Sequence, residues 1–184
     1  MGLERTFQEL NAQLQKLRDN IGALSMTFGD QPPRNAPVLV QELGERVEIL
    51  LGWLRDAASA GAEAVVAVQA PVDADRARRA LGQCQEPLGQ VARYLAFEIA
   101  TREQLNDLAA FGRRRGGEWS VWAPFVCKTL AECQGDCYDT NQALLHCWQD
   151  LAERSISTTI SVQATSIGRQ ATVPPTAADF EATP

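Results

Sequence analysis

A chain of 184 residues with 45% hydrophobic content can bury a sizeable core and is too apolar to be disordered throughout. Its 17 Lys and Arg against 23 Asp and Glu give a net charge of -6 and a pI near 4.9, which argues against binding to nucleic acid or to an anionic membrane surface. The five cysteines form no compact framework, and their odd number suits reduced thiols in the cytoplasm better than structural disulfides.

The first element is the clearest. Leu3, Phe7, Leu10, Leu14, Leu17, Ile21, Leu24 and Phe28 recur at alternating spacings of four and three, the heptad stripe of a long helix with one buried seam. Because this helix begins almost at Met1, no charged leader with an apolar core and cleavage site is read, and the chain is expected to be non-secreted. Gly29 stops the helix, and Asp30 to Pro37 form a Pro-rich loop.

The second helix is expected to open with Pro37 in its first turn and to run to about Gln69. Its seam is Val40, Leu43, Val47, Leu50 and Leu54, then Val65 and Val68. The Ala-rich half around Gly61 predicts close helix approach or a local break. The apolar run from Ala57 to Ala70 is too short to span a membrane and carries Glu63.

Asp73 is placed to cap a third helix that extends to about Arg115, with seam residues Ala77, Leu81, Cys84, Leu88, Val91 and Leu95, continuing less cleanly through Ile99, Leu105 and Leu108. Pro87 predicts a kink near Gln83. Gly116 and Gly117 stop the helix. The fourth restarts near Trp119 and follows a strict heptad: Val126, Leu130, Cys133, Cys137, Thr140, Leu144, Cys147 and Leu151. It is expected to continue to about Ile160. Beyond Gly168 there is no periodicity, and the Pro- and Thr-containing sequence reads as a flexible tail. The expected architecture is therefore all-α: an antiparallel, up-down-up-down four-helix bundle over residues 1–160, with a disordered tail over 161–184.

Residues able to carry chemistry are few. Cys133 and Cys137, four apart on one helix, could point two thiolates at a soft metal, with Cys84 and Cys147 as further ligands; packing as small core hydrophobes is the favoured reading. Folding the third and fourth helices back at Gly116 places Cys84 level with Cys147, and Tyr94 and Glu98 level with Cys133 and Cys137. His146 is the only histidine, which excludes the paired Glu-x-x-His motifs of di-iron bundles. Glu98 and Arg102 have the spacing of an intrahelical ion pair. The chain contains no G-x-S-x-G, P-loop or G-x-G-x-x-G, so acyl-transfer and nucleotide chemistry lack their usual backbone cradles.

Trp119 and Trp122, with Phe125, face the Arg113, Arg114 and Arg115 end of the third helix. They either close the end of the bundle or form a recognition patch, since Trp and Arg are favoured interface anchors. In the tail, Phe180 between Asp179 and Glu181 has the form of a short docking segment. Together these features point to a non-enzymatic, cytoplasmic adaptor or assembly subunit without a cofactor. It is expected to bind protein partners, or a second copy of itself, through bundle surfaces and the tail. Two alternatives remain: a bundle holding a metal or small ligand among its core cysteines, and a membrane-active bundle that opens around the Ala57 to Ala70 run.

Overall fold

Heptad spacing translates directly into burial. The structure, a computed structural model, describes residues 2–29 and 36–170, with the backbone alone for 155–170. The Pro-rich loop over 30–35 and the tail over 171–184, Phe180 included, lie outside the described residues. Among the described residues five α-helices form: α1 (Leu3–Gly29), α2 (Val38–Val68), α3 (Ala74–Arg93), α4 (Arg102–Arg115) and α5 (Trp119–Gln170). The described residues contain no strand. Every seam position of α1 from Leu3 to Leu24 is buried, as are Val40, Leu43, Val47, Leu50 and Leu54 of α2 and the whole predicted heptad of α5 from Val126 to Leu151.

α1 packs on α2 and α5, α2 on α3, and α5 additionally on α3 and α4. Polar contacts fix the register. Thr6 donates to Asp150 (2.5 Å) and Asn20 donates to Asp136 (2.6 Å), so a step forward along α1 matches an equal step back along α5 and the two are antiparallel. Where α2 is rich in alanine it comes close to α1: a Cβ built on Gly61 would stand 2.5 Å from Leu14 Cδ1. Such close approach is the use of the small residues there.

The helix ends follow their chemistry. The Asp73 carboxylate accepts from the Arg76 N–H (2.9 Å) and caps α3. Gly116 and Gly117 take φ of +69° and +56° between α4 and α5, a left-handed conformation that glycine adopts without a Cβ penalty. Pro37 sits one position outside α2, with extended backbone, rather than in its first turn. The α5 backbone stays helical to Gln170, past the expected end near Ile160.

Five helices are counted among the described residues where four were expected, and the difference arises at the third. α3 runs unbroken through Pro87, whose missing N–H frees only the carbonyl of Gln83, a solvent-exposed residue. The interruption comes later. A π-helical turn at Tyr94–Glu98 bonds the Ile99 N–H to the Tyr94 carbonyl (2.8 Å), and a new helix starts from Thr101. A heptad continued from Val91 and Leu95 would bury Glu98; the extra residue taken up by the π turn buries Ile99 instead and leaves Glu98 outside. Thr101 and Gln104 then form a reciprocal capping box, Thr101 Oγ1 accepting from the Gln104 N–H and Gln104 Oε1 from the Thr101 N–H.

Candidate functional site

The π turn frees backbone carbonyls that a regular helix would satisfy, and neighbouring helices take them. With the Ile99 N–H diverted to Tyr94, the Leu95 carbonyl accepts from Gln134 Nε2 of α5 (2.9 Å), and the Ile99 carbonyl accepts from Arg46 of α2 (2.9 Å). Trp53 of α2 meets the Tyr94 ring edge to face at 5.3 Å. The break is thus clamped from both sides.

Beside it lies a cavity of about 580 Å³ between the end of α3, the π turn and α5, lined by Ala92, Leu95, Ala96, Gln134, Cys137, Tyr138 and Asn141. Its walls are mostly apolar and carry no formal charge. The Asn141 and Gln134 amide N–H groups are already used on the Cys137 and Leu95 carbonyls. Phe97, in the same turn as Leu95 and Ala96, is 80% exposed, and Tyr138 is 65% exposed. Glu98 pairs with Arg93 (3.2 Å) rather than with Arg102 as its spacing had suggested, because the break at Ile99 to Thr101 ends the helical relation between 98 and 102.

The aromatic residues named from sequence lie at the other end of α5's contact with α4. Trp119 is buried and meets Phe111 (5.1 Å) and Trp122 (5.3 Å) edge to face; Trp122 also meets Phe28 of α1 (5.4 Å). Edge-to-face rings of this kind join α1, α4 and α5 into one apolar end. Gly112 permits the crossing of α4 over α5, since a Cβ there would stand 2.6 Å from the Trp119 carbonyl oxygen. Arg113, Arg114 and Arg115 are exposed at the end of α4, where cations complement the helix dipole, and Phe125 and Val121 are exposed on the first turns of α5.

All five cysteines are free, and only Cys127 is partly exposed. Burial pushes the thiols of Cys84, Cys133 and Cys147 up to about 12 and that of Cys137 up to about 11. Cys84 is near enough to Cys147 for ionisation of one thiol to oppose that of the other, as their expected common level requires. Neutral thiols in apolar surroundings are poor nucleophiles and poor ligands. Among the described residues no three His, Cys, Asp or Glu side chains converge in a way that could hold a metal.

Sequence reasoning missed Asp136. Its buried carboxylate sits between Cys133 and Cys137 on the α1 side, accepting from Asn20 and pairing with Lys16 (2.7 Å), which raises the Lys16 pKa through that hydrogen bond. An acid flanked by seam residues opposite Lys and Asn was the available signal. No protein-family model, curated protein or solved structure matches the chain. Among the described residues, no helix is long and apolar enough to cross a membrane.

Proposed function

We propose that the chain is a non-enzymatic interaction protein of the cytoplasm, an adaptor or assembly subunit. In this reading α3 and α4 form one interrupted arm of an antiparallel four-arm bundle, whose outer faces and C-terminal segment receive protein partners. One contrast carries the reading. Inside, polar and reactive groups are neutral or paired: the thiols are held protonated and Asp136 is matched by Lys16 and Asn20. Outside, large apolar side chains stand in water, with Phe97 and Val121 exposed by 80% and 73%. Apolar exposure on a bundle whose seams are already filled favours association over chemistry.

The test is affinity capture from cell extract with the full chain, with a chain lacking residues 168–184, and with Phe180→Ala. Specific partners retained by the full chain and reduced by tail removal or by Phe180→Ala support docking through the tail. Identical partner sets with all three baits reject the tail as a docking element and leave the bundle faces. Absence of any specific partner with every bait rejects the adaptor reading.

A further inference from the structure

We propose that the face formed by the π turn and its cavity binds a second copy of this chain in a two-fold arrangement, the Phe97 ring of each protomer entering the Ala92–Leu95–Ala96–Tyr138 hollow of the other. The inference goes beyond the adaptor reading and does not depend on the tail.

A two-fold contact is made by one patch meeting itself, so the patch must carry both a projection and a recess. Phe97 and the hollow meet that condition within one helical turn. The ring stands 80% exposed on the outside of the turn, and the cavity of about 580 Å³ opens beside it, floored by the small side chains of Ala92 and Ala96. The π turn buries Ile99 in place of Glu98, and its backbone and Tyr94 ring are held by Arg46, Gln134 and Trp53 beneath the outward-facing Phe97. Because the backbone that carries the ring is already fixed, docking has only the ring's own rotation to order.

Charge favours the same occupant. The whole chain carries -6 and repels its copies at a distance, but this patch is locally neutral, because Arg93 and Glu98 neutralise each other at 3.2 Å while remaining 60% and 44% exposed. Reversal of the patch across a two-fold axis sets the Arg93 of one protomer against the Glu98 of the other. The chain's own Phe180 is excluded by reach: about 44 Å of α5 separates Asn141 from Gln170, whereas the segment from there to Phe180 spans at most about 35 Å when fully extended.

Sedimentation velocity and light scattering of the full chain over a series reaching high-micromolar concentration decide the matter. A concentration-dependent dimer is expected for the wild type. Phe97→Ser, which removes an exposed side chain, and Ala96→Trp, which fills the hollow from an exposed position, should each weaken it by at least about tenfold. Arg93→Glu and Glu98→Arg should each be monomeric alone and should form a heterodimer when mixed, a rescue that no merely destabilised fold can produce. A wild type that stays monomeric throughout overturns the proposal. So does a dimer indifferent to Phe97→Ser and Ala96→Trp, or a mixture of the two charge variants that fails to associate.

Discussion

Replacing Gly112 by alanine tests the α4–α5 crossing, on which the aromatic end of the bundle depends. Inside a helix, Gly→Ala ordinarily stabilises by up to about 1 kcal/mol, because alanine has less backbone freedom to lose. At Gly112 the new Cβ would lie 2.6 Å from the Trp119 carbonyl oxygen and 2.6 Å from Ala123 Cβ, well inside ordinary contact distance. The obstacle is backbone in the first turn of α5, so relief requires the two helices to separate and the Phe111–Trp119 contact at 5.1 Å to loosen. Overpacking of this kind costs about 1–3 kcal/mol, which cancels the propensity gain and leaves a net loss of up to about 2 kcal/mol. For a chain of this size that lowers Tm by up to about 8 °C. Gly82→Ala is the control: it lies within α3 with open space where its Cβ would stand, and should raise Tm by about 1–4 °C. Thermal melts by circular dichroism on both variants suffice. A stabilised Gly112→Ala would mean that α4 does not approach α5 this closely.

Leu14→Asp places an unpaired charge in a fully buried seam position and should cost more than about 4 kcal/mol, abolishing the cooperative melt; an unchanged transition would show that the α1 seam is exposed. Asp136→Ala strands the Asn20 amide and should lower stability by about 1–3 kcal/mol in denaturant titration, whereas Lys16→Met, at a side chain that is 58% exposed, should lower it less than Asp136→Ala does. Thr101→Ala removes half of the capping box and should cost about 1 kcal/mol, with faster amide exchange confined to the first turn of α4. The buried thiols predict alkaline sensitivity: an unfolded thiol ionises near its ordinary 9.0, while the folded ones hold their protons to about 11 or 12. Their contribution to stability is therefore constant below about pH 9 and falls as pH rises from there towards 12. Tm measured against pH should show that decline, reduced in Cys84→Ala with Cys133→Ala, and alkylation of the native state at pH 8 should reach Cys127 first.

What the sequence made legible was whatever a 3.5-residue period can encode. The α1 seam to Leu24, the α2 seam to Leu54, the α5 seam, the Asp73 cap and the Gly116–Gly117 turn are local or strictly periodic, and the structure keeps them, whereas beyond Leu54 the buried line of α2 runs through Ala57, Gly61 and Ala64 and leaves Val65 only partly covered. The third arm was misread because its period slips by one residue at the π turn, and continuing the earlier seam past Leu95 hides the slip. The break was nevertheless signalled by Thr101 and Gln104, a Thr-x-x-Gln capping box lying in the less regular stretch before Leu105. The cavity beside Phe97 had no such signal. It arises where Ala92 and Ala96 of one arm face Tyr138 and Asn141 of another, a juxtaposition set by packing between distant segments. The aromatic end was half legible: the residues were visible, but the partnership of Trp122 with Phe28 depends on where α1 ends relative to α5.

α5 is the common wall against which α1, α3 and α4 all lean, and it is the last of the described helices to leave the ribosome. Until it is made, α1, α2 and α3 can zip together only as neighbours, with the flank that will receive Val126 to Leu151 left greasy and wet. The contact that closes the assembly, Thr6 to Asp150, bridges a separation of 144 residues, so its ordering cost is met late and all at once. A nascent chain of this design keeps that apolar flank uncovered until α5 has emerged. A premature stop within α5 would yield a sticky, unclosed fragment rather than a smaller working protein.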